Sequence, residues 1–138
     1  MTMPQTSPMT LFSLTERAMS AQLVRMNAAT SNLANAGAVA SSEQAAYRPI
    51  RAVFASELDR ASGLATVSAR ALVRSQDAAI RRYDPGHPLA DETGHIYEAS
   101  VDESAEMVEL MESSRQYQNL VQALQTAKQL MLDTLRSE

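Results

Sequence analysis

The sequence predicts a mainly α fold with a small β insert. Its long N- and C-terminal helices pack as an antiparallel, coiled-coil-like pair, and a central β-rich segment joins them. Three observations lead there. Residues 9–36 and 101–138 contain neither Gly nor Pro, the residues least compatible with a helix interior. Both stretches carry apolar side chains at three- and four-residue steps. The four glycines all fall between them, at 37, 63, 86 and 94. On this basis residues 1–37 form the N-terminal helical part, 38–99 the insert and 100–138 the C-terminal helix.

The first helix has two candidate starts: Ser7 before Pro8, or Ser13 with Glu16 in the spacing of a capping box. Phe12, Met19, Leu23, Met26, Thr30 and Leu33 form its stripe, and Ala18, Ala21, Ala28 and Ala29 allow close approach of another helix. Asn35-Ala36-Gly37 is the expected stop, because Asn and Gly tolerate the left-handed backbone found at helix ends.

Residues 38–46 read as a loop. Tyr47–Phe54 then alternates, with Ile50, Ala52 and Phe54 on one side and Arg51 and Val53 on the other. Pro49 places this strand at an edge or makes 49 its start. Residues 56–63 break the alternation. Ala65–Val73 alternates again, although so Ala-rich a run also suits a helix. Asp84-Pro85-Gly86-His87-Pro88 is a rigid turn, with two prolines fixing φ and Gly86 relieving the strain between them. His95-Ile96-Tyr97 is a last short strand.

The final helix opens on a second capping box, Ser100 with Glu103. Its stripe is Met107, Leu110, Met111, Tyr117, Leu120, Val121, Leu124, Ala127, Met131 and Leu135. Glu103, Glu106, Glu109 and Glu112 crowd its start, and Lys128 and Arg136 lie near its end, which suits the helix dipole. From Asp102 onward the rod is about 55 Å long at 1.5 Å per residue, and it cannot cover its own stripe. Hydrophobic residues make up 45% of the chain but aromatics only 4%, a composition for thin Ala, Leu and Met seams rather than a broad interior.

Composition excludes several functions. A net charge of −4 and the absence of a basic run argue against nucleic-acid binding. With no cysteine there is neither a disulfide nor a thiolate metal site. The N-terminus, MTMPQTSPMTLF, lacks the basic region and apolar core of an ordinary secretory signal, and no window reaches the apolar length of a membrane span. No motif of an enzyme class occurs. The one His/carboxylate cluster (Asp84, His87, Asp91, Glu92, His95) is either a divalent-cation site or a polar turn, and its spacing matches no metal geometry. Catalytic, metal and cofactor sites are therefore all expected to be none.

The Met and Leu stripes read as helix seams before they read as a ligand groove. The acidic run from Glu98 to Glu112 reads as a favourable helix start before a partner site. Arg115 and Tyr117 either set register in the seam through a polar contact or lie at its edge. Asn27, Ser31, Asn32 and Asn35 are costly near the end of an apolar helix unless they find partners. Either that end frays, or the amides bond across to a neighbouring subunit.

The segment SNLANA at 31–36, preceded by Asn27, resembles the N-terminal signature of the bacterial flagellar rod, hook and hook-associated axial proteins. YRPIRAVF at 47–54, YDPGHPLADETGHI at 83–96 and EMVELMESSRQYQNLVQALQTAKQLML at 106–132 are similar to the proximal-rod members of that family. The chain departs from the family at Ala36-Gly37-Ala38, where a threonine is usual, and at Ala99-Ser100-Val101-Asp102, where PNVD is usual.

The resemblance implies a structural subunit without catalysis or cofactor. Its terminal helices would stack with copies of itself and with other rod proteins into a periplasmic drive shaft around an export channel. It would leave the cytoplasm by the flagellar type III export apparatus without a cleaved signal, with no membrane insertion. The subunit-interface residues expected on this reading are Asn27, Ser31, Asn32, Leu33, Asn35, Met107, Arg115, Tyr117, Val121, Leu124 and Met131. A free-standing helical-hairpin adaptor is the alternative.

Overall fold

A computed structural model describes residues 8–59 and 64–138. Helix α1 (Pro8–Ala34) and helix α2 (Glu103–Arg136) lie side by side and antiparallel, as the apolar spacing predicts. Between them come β1 (Val39–Ala40), β2 (Ile50–Asp59), β3 (Leu64–Arg74), β4 (Ile80–Tyr83) and β5 (His95–Glu98). They make two antiparallel sheets, one ordered β1-β5-β4 and the other the β2–β3 hairpin. β1 follows α1 and β5 precedes α2, so the Val39–Glu98 and Ala40–Tyr97 pairs close the helix pair at one end.

The core is thin, in keeping with the composition. Its buried apolar residues are Ala21, Ala28, Ala29, Ala46, Ile96, Ala99 and Ala127. Alanines at the α1–α2 contact let the two backbones approach, and each methyl contributes little alone. Ile96, on the central strand of the three-stranded sheet, is the largest apolar side chain fully enclosed.

Several local expectations are corrected. The cap of α2 is Asp102, not Ser100: its carboxylate accepts the Ala105 N–H at 3.1 Å, its φ and ψ are extended, and the helix begins one residue later. α1 ends at Asn35-Ala36-Gly37, but without left-handed backbone. It closes through the Asn35 N–H to Ser31 O and the Ala36 N–H to Leu33 O. Among the described residues only Gly94 has positive φ, at 80°, so the strained position of the proline-rich turn is Gly94, not Gly86.

The break expected over 56–63 does not occur where the chain is described. β2 continues to Asp59, and residues 60–63 lie outside the described residues. Such a ribbon is held by its cross-strand bonds, which do not require apolar alternation. β3 is a strand, which settles the Ala-rich run. A bulge at Val53/Phe54 leaves Arg70 as the extra residue, since Val53 pairs with Ala71 and Phe54 with Ala69. β4 was invisible in the sequence, because Ile80-Arg81-Arg82-Tyr83 is an exposed edge strand with no apolar periodicity.

Candidate assembly surface

The polar residues at the end of α1 turn inward. Asn32 is 0% exposed. Its Nδ2 donates to Ile50 O at 3.0 Å, and its Oδ1 accepts the Ile50 N–H and the Tyr47 hydroxyl, both at 2.8 Å. The amide thus takes the place of a strand neighbour for the first residue of β2. Ser31 Oγ lies 2.9 Å from the same Tyr47 hydroxyl, and Asn35 Nδ2 donates to Ser31 O. The helix end is therefore not frayed, and these amides have partners inside the chain. Tyr47, whose ring also carries the Arg74 guanidinium at 5.7 Å, is the partner that sequence reasoning did not supply.

The seam between α1 and α2 has a polar register contact. Arg25 Nε donates to Glu109 Oε1 at 2.7 Å, and its Nη1 donates to Gln116 at 3.2 Å and to Gln22 at 2.9 Å. This bond, together with the coulombic attraction of the pair, holds the Glu109 carboxyl below the usual carboxylate range and the Arg25 guanidinium above its own. Arg115 takes no part in this contact and is exposed on the single chain. The available clue was Arg25 itself, a cation between Leu23 and Met26 in an otherwise apolar stripe.

One step along β2, Arg51 reaches Glu106, which is 1% exposed. The contact engages one carboxylate oxygen off the line of a well-formed hydrogen bond, and neither oxygen has a hydrogen-bond donor among the described residues. Arg25, Arg51 and Glu109, with Ala28, Ala29 and Phe54, line a cavity of about 210 Å³ between α1, β2 and α2. The inward side of β2 is Ile50, Ala52 and Phe54, as the alternation predicts.

Other expected interface residues fall into two sets. Leu33, Tyr117, Val121, Leu124 and Met131 are half-buried. Asn27, Met107 and Arg115 are exposed. Most of the predicted α2 stripe is covered: Ala127 is buried and Leu110, Tyr117, Leu120, Val121, Leu124 and Met131 are half-buried, but in the first turns Glu106 and Ser113 take the inward positions while Met107 and Met111 stand outward, as Leu135 does at the far end. Met111 is 68% exposed and lines an open groove of about 260 Å³ with Val108, Glu112 and Arg115.

The His/carboxylate cluster is consumed by its own turn. Asp91 Oδ1 accepts the Thr93 N–H, the Thr93 hydroxyl and the His95 N–H, at 2.7–2.9 Å. The bond from the His95 backbone, then that from the Thr93 hydroxyl, lowers the pKa of Asp91. His87 Nδ1 accepts the Leu89 N–H, and His95 Nδ1 sits 2.9 Å from Thr93 Oγ1 and 3.2 Å from Arg81 Nη2. No group of three or more metal-ligand side chains occurs among the described residues, and no helix there is long and apolar enough to cross a membrane.

Residues 92–137 match the family model described as flagellar basal body rod FlgEFG protein C-terminal. The chain is 40% identical over 127 residues to the flagellar basal-body rod protein FlgC of Salmonella typhimurium, covering 91% of this chain and 93% of the relative. The same figures hold for FlgC of Escherichia coli O157:H7. Against FlgC of Yersinia enterocolitica the identity is 37% over 131 residues, or 94% and 96% of the two chains.

Proposed function

The chain belongs to the FlgC family of flagellar basal-body rod proteins, and from that premise we propose how this structural rod subunit assembles. The observation that supports the reading is the outward apolar ridge of Met107, Val108 and Met111 near the start of α2, a helix whose inner face is already occupied by α1. Patches of that kind mark interaction sites rather than free surface. Copies of the chain and other rod proteins cover the ridge, and many small contacts along the helices add up to a stiff seam. Asn27, Arg115 and the half-buried Leu33, Tyr117, Val121, Leu124 and Met131 lie at the edges of that contact. Ser31, Asn32 and Asn35 act from inside, by shaping the end of α1.

The shaft so formed transmits motor torque across the periplasm and surrounds an export channel. The subunit reaches it through the flagellar type III export apparatus, without a cleaved signal and without membrane insertion. No catalytic step is assigned to it, and the free-standing adaptor is set aside with the family membership.

Complementation of a strain lacking this protein tests the assembly surface. Met107→Asp/Met111→Asp should fold as the parent by circular dichroism, yet give no rods in purified basal bodies and no swarming. Normal motility with both aspartates in place would overturn the assignment of the ridge.

A further inference from the structure

Two consecutive residues at the start of β2 are gripped by different helices. The backbone N–H and C=O of Ile50 are both taken by Asn32 of α1, and the guanidinium of Arg51 reaches Glu106 of α2. The hairpin packs on α1 alone: no Cα of α2 lies within 8 Å of a Cα of β2 or β3 among the described residues. The Arg51–Glu106 pair is therefore a long reach across a gap.

Charge makes that reach specific. Arg25 on α1, Glu109 on α2 and Arg51 on β2 line the cavity between the three elements, Arg51 also attracts Glu109, and Glu106 pairs with Arg51. Without Arg51, the Glu106 carboxylate is a desolvated charge with no donor. Farther out the ribbon has little to lean on. A lone two-stranded ribbon is marginal in water, and Val53, Leu58 and Leu72 are exposed along it.

We propose that Asn32 and Glu106 form a two-helix latch, which sets the direction of the β2–β3 hairpin only while α1 and α2 are paired. Asn32 fixes where the ribbon begins, and Glu106, a positioning residue, fixes its roll about that point. When the helices part, Glu106 withdraws and the hairpin hangs from Asn32 alone. Hairpin orientation is thus a readout of helix pairing. The inference rests on the fold and holds whether or not the chain stands in a rod.

Hydrogen exchange on the full-length chain tests it, with sucrose added stepwise to favour the compact state. The amides of residues 50–54 should gain protection in step with those of α1 residues 21–29. In Glu106→Gln the hairpin amides should exchange at least about tenfold faster at the same level of α1 protection. Leu124→Asp, far along the seam, should release the hairpin together with the helices. Three results each overturn the latch: a hairpin protected while the helices exchange freely, no change in Glu106→Gln, or helix and hairpin losing protection by one common factor in that variant.

Discussion

The side-chain amide of Asn32 pairs with the backbone of Ile50 in both directions, N–H to Oδ1 at 2.8 Å and Nδ2 to C=O at 3.0 Å. A helix thereby donates one rung to a β-ribbon. Truncating the amide leaves the Ile50 N–H without its acceptor and takes one partner each from the Ile50 C=O and the Tyr47 hydroxyl, which keep Arg51 Nη1 and Ser31 Oγ. Asn32→Ala should therefore cost about 2–3 kcal/mol, near the top of the range for abandoned buried polar groups. Urea denaturation should show the loss as a lower midpoint at unchanged slope.

The Arg25–Glu109 bond carries a pH dependence of definite sign. The folded chain holds the Glu109 carboxyl below its ordinary value, so the unfolded chain binds that proton first. The contribution is complete above the ordinary glutamate value and is lost as pH falls through the lower, folded value. Because the pair is partly exposed, it is worth no more than about 1 kcal/mol and weakens with salt. Thermal melts from pH 7 to 3 should show this acid-side loss in the parent chain and a smaller one in Glu109→Gln.

Leu124 is half-buried in the middle of α2, where an aspartate would place a charge in the helix seam. Leu124→Asp should abolish both incorporation into basal bodies and motility. Electron microscopy of purified basal bodies and a soft-agar assay check it, and motile cells with normal rods would contradict it.

Gly94 holds φ at +80°, and a Cβ there would stand 2.9 Å from Tyr83 Cε2 and 3.1 Å from Pro85 Cβ. Gly94→Ala should cost about 1–3 kcal/mol, since strained backbone and steric overlap add. Hydrogen exchange should rise in β4 and β5 and stay unchanged in α1 and α2.

Asp91 already accepts three hydrogen bonds from its own turn, which leaves little reason for the loop to take a cation. The melting temperature should be the same with and without a chelator. A shift of several degrees on adding EDTA would reopen the metal reading.

The two helices, the inward side of β2, the proline-rich turn and the family resemblance were legible in the residues, because each depends on local spacing or on a contiguous motif. The chain order of apolar side chains alone requires long amphipathic rods, and so scant an aromatic content requires a thin seam. Which face of α2 meets α1 was legible over most of the helix but not in its first turns. There Met107, Val108, Leu110 and Met111 spread over nearly half the helix circumference, and periodicity tolerates more than one rotation. Packing selected the one that buries Glu106 and Ser113. Likewise, only the folded chain joins Asn32 to Ile50 and Arg51 to Glu106, partners 18 and 55 residues apart. Hydrogen bonds and ion pairs act over a few ångströms, so partners so distant in sequence are set by where the backbone returns, and no local pattern encodes that.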